Sequence, residues 1–152
     1  MVAIEFGLLT AACLFVKRMV DVTHIRPWTK ADETNENDNG RLKKIPENTQ
    51  VFEIDGPMFF ANSDIISSIP IKEGVKVVIL RMRNIPSLDV SALRAITTVL
   101  KYCQNKNITM LFSHVNKQPM SVMKKAGFIE KAGVENFLPN IDEALKKAEE
   151  IV

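Results

Sequence analysis

The sequence predicts an α/β fold: a small, mostly parallel sheet of about four strands with helical crossovers, preceded by an apolar N-terminal helix. Three observations predict it. Val75–Met82 (VKVVILRM) and Ile108–Phe112 (ITMLF) are apolar, β-branched runs of the kind found in strands covered on both faces. Between them Leu88, Ala92, Ala95, Ile96, Val99 and Cys103 recur at three- and four-residue steps, which predicts a helix over Leu88–Gln104. From about Arg41 onward, strand and helix patterns alternate in the order β-α-β-α-β-α-α, the order of parallel strands with helical returns.

The elements follow in chain order. Val2–Val16 (VAIEFGLLTAACLFV) is apolar apart from Glu5 and Thr10, and Lys17-Arg18 closes it. As a helix it rises roughly 22 Å, about two-thirds of the roughly 30 Å of a bilayer core. It lacks the polar face of an amphipathic helix. The basic pair at its exit fits a helix end held on the cytoplasmic side, and a buried core helix is the alternative. Glu5 is costly in lipid unless it faces protein or water. Asp21–Lys30 reads as a mixed connector, with Trp28 either interfacial or packed on the domain. Ala31–Gly40 (ADETNENDNG) reads as a solvated acidic linker; it lacks the spacing of a calcium loop.

Val51–Ile54 (VFEI) predicts a short strand stopped by Asp55-Gly56-Pro57. Asn62-Ser63-Asp64 offers caps for a helix to about Ile69, ended by Pro70. Pro119–Ala126 predicts a helix with Gly127 at its stop, and Phe128-Ile129 a short strand. Asn140 caps a last helix, Ile141–Ile151, with Asp142 and Glu143 early and Lys146-Lys147 late.

Composition narrows the function classes. The chain has 152 residues, enough for one ordinary domain, and 20 basic against 18 acidic residues. That balance lacks the basic excess of a nucleic-acid binder. Cys13 and Cys103 cannot form a disulfide framework, and with only His24 and His114 there is no zinc-type cluster, so no metal is expected. No phosphate-binding glycine loop and no nucleophile–base signature is present, and no cofactor or catalytic residue is expected. Cys103 falls on the apolar stripe, as a buried inert thiol would, and His114 reads as a surface residue.

The best candidate site is the turn Ile85–Ala92. It follows the carboxyl end of the most buried strand, where α/β sheets place ligands, and it opens the longest helix. Ser87 or Asp89 supplies the cap. An ionised Asp89 repels an anionic ligand, so simple phosphate binding does not follow.

These residues carry a resemblance. Leu88-Asp89-Val90-Ser91-Ala92-Leu93 resembles the Asp-x-Ser/Thr-Gly signature of STAS domains, the α/β modules shared by anti-sigma-factor antagonists and SulP-type anion permeases. The permease branch is the better match, over nearly the whole chain. Ile54–Asn62 (IDGPMFFAN), Lys125–Phe128 and Glu135–Leu145 (ENFLPNIDEAL) are similar to permease segments. Ala3-Ile4-Glu5-x-Gly7 with Phe15–Met19 is similar to the end of the last membrane helix and its exit. Val90 stands where the antagonist branch carries its phosphorylated serine, Ser91 follows one residue later, and Ala92 replaces the usual glycine. No antagonist-type phosphoserine switch is therefore expected.

The resemblance implies a division into residues 1–20, the end of a transmembrane helix marked by Glu5, Lys17 and Arg18; 21–40, a juxtamembrane connector and acidic linker; and 41–152, a STAS domain. It implies a regulatory, non-enzymatic module of a transporter for sulfate or a related anion, at the inner membrane with the domain in the cytoplasm. The implied partners are the transport domain of the same permease, a second copy of the module, and a nucleotide or cytoplasmic protein at Ser87, Asp89, Val90 and Ser91, with no nucleic acid. The alternative is a freestanding regulator of the antagonist type.

Overall fold

Residues 1–28 and 44–152 are described in the computed structural model. The acidic segment 31–40 lies outside the described residues. Helix α1 (Val2–Val22) leads into strand β1 (His24–Pro27). Strand β2 (Thr49–Asp55), a 3-10 turn (Phe60–Asn62), helix α2 (Asp64–Ser67), β3 (Val77–Asn84) and α3 (Val90–Asn105) follow. Then come β4 (Thr109–Ser113), α4 (Lys117–Lys125), α5 (Phe128–Ala132), β5 (Phe137–Leu138) and α6 (Ile141–Ile151).

The strands form one sheet in the order β1-β2-β3-β4-β5. The β1–β2 pair is antiparallel, and the other three pairings are parallel. Side chains alternate across the sheet. Phe52, Ile54, Val78, Leu80, Met82, Met110 and Phe112 share one core cluster with Ile66 of α2, the stripe of α3, Met123 of α4 and Phe128 of α5. Val51, Val77, Ile79 and Leu111 share a second cluster with Trp28 and with Ile141, Ala144, Leu145 and Ala148 of α6. Burial of each of the Val, Leu, Ile, Met and Phe side chains among them stabilises the fold by about 1.5–3 kcal/mol. Two-face coverage explains why β3 and β4 read as continuous apolar runs.

Three expectations are corrected. His24–Pro27, expected within a connector, is a fifth strand, and Trp28 packs on the sheet, its backbone N–H donating to Val51 O at 2.8 Å. Short, polar and proline-ended, β1 gives no periodic signal; its pairing with β2 makes it a strand. Phe128-Ile129 is helical. Gly127, at φ +68°, ends α4 and lets the chain re-enter a helix as α5. The short strand lies at Phe137-Leu138 instead. There Phe137 stacks on Phe112, with ring centroids 4.8 Å apart, and Phe128 meets Phe112 edge-on at 5.4 Å. Helix α1 does not stop at Lys17-Arg18 but continues to Val22, because Thr23 and the loop beyond β2 terminate it.

Candidate functional site

The turn between β3 and α3 is built from three segments. Asp89 is the N-cap of α3: its Oδ1 accepts the Ala92 N–H at 2.8 Å. Its Oδ2 accepts the Phe60 N–H at 2.9 Å, from the loop beyond β2. One carboxylate thus joins both loops. The backbone repeats the connection: Met58 N–H donates to Ser87 O at 2.9 Å and Asp89 N–H to Met58 O at 3.0 Å. On the other side Gln118 of α4 pairs with Leu88 as a strand would, accepting from its N–H at 2.8 Å and donating to its carbonyl at 3.1 Å. Asn116 Nδ2 donates to Arg83 O and Ile85 O, each at 2.9 Å.

The predicted residues divide by role. Asp89 is half-buried and committed to backbone donors. Ser87, Val90 and Ser91 are exposed, as is Phe60 beside them. Ala92, at the signature's glycine position, is fully buried. The turn thus presents two hydroxyls and two apolar side chains on a backbone hydrogen-bonded on both sides. Glu5, Lys17 and Arg18 lie on α1, away from the turn and exposed. No helix among the described residues is long and apolar enough to cross a membrane.

Helix α1 buries none of its residues. Ile4, Phe6, Leu8, Leu9, Leu14 and Phe15 are all more than half exposed. The packed-core alternative for this helix therefore does not describe it. Its end is nevertheless fixed to the domain. Thr23 Oγ1 donates to Pro57 O at 2.7 Å, and Asn62 Nδ2 donates to Thr23 Oγ1 and to Pro57 O, each at 2.9 Å. Asn62 Oδ1 accepts from Phe59 N–H at 2.9 Å. The Asp89 turn, the Phe59–Asn62 loop and the exit of α1 are thus consecutive parts of one hydrogen-bonded assembly.

Other reactive groups lie elsewhere. Cys103 is fully buried in the first core cluster, and burial pushes its thiol up to about 11. His114 is exposed at a cavity of about 310 Å³ that it lines with Val115, Met120 and Phe137. No group of His, Cys, Asp or Glu among the described residues has the arrangement of a metal site. Sequence reasoning missed Thr23, Asn116 and Gln118, and assigned Asn62 only a helix cap. The bonds that tie Thr23 to Asn62, Gln118 to Leu88 and Asn116 to Ile85 each span 30 or more residues and have no local signature.

Known proteins share this fold. The profile of the STAS domain family matches residues 41–144. YvdB of Bacillus subtilis (strain 168) is 24% identical over 145 residues, covering 93% of this chain and 26% of that protein. The crystal structure of a sulfate transporter family protein from Wolinella succinogenes is 31% identical, with TM-score 0.70. It covers 77% of this chain and 98% of that one. The murine Solute Carrier 26 family member A9 anion transporter, 14% identical, shares the fold with TM-score 0.76 over 97% of this chain and 25% of its own. The chain spans about a quarter of the length of the curated relative YvdB, and it belongs to the STAS domain family.

Proposed function

We propose that this chain is the regulatory end of a SulP-type permease for sulfate or a related anion. Residues 1–20 form the inner end of its last membrane helix, and the α/β body lies in the cytoplasm. The observation that carries this reading is the union of two opposite surfaces. A helix with no buried residue and many exposed large apolar side chains is clamped at its exit onto a well-packed domain. Exposed apolar area on this scale is costly in water and marks a membrane or protein contact. The Lys17-Arg18 pair near the exit has the sign expected on the cytoplasmic side.

In this reading the domain has no catalytic step. It acts through contacts, and the rigid turn at Ser87, Asp89, Val90 and Ser91 is the surface through which a cytoplasmic protein, a nucleotide or the transport domain modulates transport. Dimerisation of the permease through this module is part of the same proposal. A freestanding regulator would have to cover α1 by packing it on the domain, and α1 does not pack there.

The test is the reading frame upstream of the Met1 codon. A frame continuing through several apolar segments of about 20 residues supports the permease. An in-frame stop just upstream, preceded by a ribosome-binding site, overturns it. The protein itself gives a second test: the full chain should require detergent, and a monomer that remains soluble at high concentration without it counts against the reading.

A further inference from the structure

We propose that the sheet face opposite helices α2–α5 holds a binding site for a small inorganic anion, built from Arg81, Ser113 and Trp28. The strand register aligns Arg26, Glu53, Arg81 and Ser113 in one row across β1, β2, β3 and β4. Glu53, Arg81 and Ser113 are all more than nine-tenths buried. Such groups are almost always hydrogen-bonded in native proteins. Here two are not: the Ser113 hydroxyl and the Trp28 indole N–H are shielded from solvent and have no hydrogen-bond partner among the described residues. Both lie beside Arg81. Ser113 is its register partner on β4, and the guanidinium carbon lies 5.4 Å from the centroid of the Trp28 ring.

Arg81 itself is under-satisfied. Among the described residues its ionic contact is Glu53, Nη1 to Oε1, at the long distance of 3.7 Å. Glu53 is engaged more closely elsewhere: Arg26 Nη2 donates to it at 3.0 Å and Asn84 Nδ2 at 3.2 Å. The other carboxylate of this face, Asp55, accepts from Arg26 Nε at 3.1 Å and from Asn84. Among the described residues, both carboxylates are thus bonded to Arg26 and Asn84. What remains around Arg81 is a set of donors: a guanidinium fork, an indole N–H that can only donate, and a hydroxyl. A ligand that completes this set accepts from these donors and is compact enough to sit on the sheet, and the guanidinium favours a negative charge on it. A halide or a small oxyanion meets these requirements. The site is separate from the Asp89 turn, which a carboxylate occupies. Only the meaning of its occupancy rests on the permease reading: a module that binds the anion its transporter moves can report the anion's cytoplasmic concentration.

Trp28 is the only tryptophan of the chain and so reports on the site directly. The experiment titrates chloride, and separately sulfate, into the full chain in non-ionic detergent. Sodium gluconate holds the ionic strength constant, and Trp28 emission is the readout. A saturable change is expected. Arg81→Gln should abolish it. Ser113→Ala, which breaks no existing hydrogen bond and so preserves the fold, should raise the half-saturation concentration roughly three- to ten-fold. Glu53→Gln, which removes the carboxylate competing for Arg81, should lower it. A change that never saturates, or a saturable one of equal midpoint in wild type, Arg81→Gln and Ser113→Ala, overturns the site. These readings are made on this chain alone, so they stand or fall independently of the upstream reading frame.

Discussion

Asn62 Nδ2 donates to Thr23 Oγ1 at 2.9 Å across 39 residues of sequence, and each of the two residues is only 2% exposed. Both side chains also bond the Pro57 carbonyl. This is the joint through which the exposed apolar helix meets the folded domain. Because the Phe59–Asn62 loop is also tied to Asp89, hydrogen bonds run from the exit of α1 to the turn that opens α3.

Removal of Asn62 should therefore cost more than one ordinary hydrogen bond. Asn62→Ala orphans the Phe59 N–H and removes a donor from both Thr23 and Pro57, a loss of about 2–3 kcal/mol. Thr23→Val keeps the shape and leaves Asn62 bonded to Pro57, so it should cost about 1 kcal/mol. Urea unfolding of the full chain in detergent measures both. Equal midpoints for the two variants would show that Asn62 is not the hub.

Gly56 tests the same joint from the other side. It has φ +102°, and a Cβ there would lie 3.0 Å from Thr23 Oγ1, 3.1 Å from Thr23 Cα and 3.2 Å from the Val22 carbonyl. Gly74 has a similar φ of +81° with open space around it. Gly74→Ala should thus cost only the backbone penalty, about 1 kcal/mol. Gly56→Ala should carry that penalty and also push α1 off the domain, so its urea midpoint should fall roughly twice as far. Equal shifts would mean that the α1 exit yields freely.

What was legible in the sequence follows from the range of the forces involved. Strands β3 and β4, the stripe of α3 and the Asn140 cap of α6 are set by burial and by bonds within four residues, and pattern reading finds them. Strand β1 was not legible because its four residues carry no alternation, and only β2 makes them a strand. Phe128-Ile129 was misread because two adjacent apolar residues fit either period, and here the aromatic contacts with Phe112 and Phe137 fix the outcome. At the site, the Asp89 cap was readable and its bond to Phe60 was not. Arg81 was hidden inside a run that reads as apolar, and Ser113 stands one residue beyond the next such run.

Cys103 makes a pH-dependent contribution whose sign is fixed by its environment. Burial raises its thiol from 9.0 to about 11, so the folded state favours the protonated form more than the unfolded state does. The resulting stabilisation is complete below pH 9 and is lost as pH rises through about 11. It amounts to about 2–3 kcal/mol. Urea midpoints at pH 8 and pH 11 should differ less in Cys103→Ala than in the wild type. An alkylating reagent at pH 8.5 should label exposed Cys13 and spare Cys103 until the chain unfolds.

Asp89 separates capping from bridging. Asp89→Ala removes the acceptor for both the Ala92 and the Phe60 N–H groups. Loss of the cap alone costs about 1–2 kcal/mol. The Phe60 bond is exposed and contributes less, because water replaces it. Asp89→Ser restores the cap but has one oxygen and cannot hold both donors. Stability should therefore recover most of the way in Asp89→Ser, while the loop at Phe60 stays released from α3. Amide hydrogen exchange at Phe60 should be faster in both variants, and exchange at Ala92 faster in Asp89→Ala only. If the chain is the end of an anion permease and the turn its regulatory surface, the permease carrying Asp89→Ser should be inserted normally yet show altered anion uptake. Normal uptake together with fast exchange at Phe60 would leave Asp89 with a structural role alone.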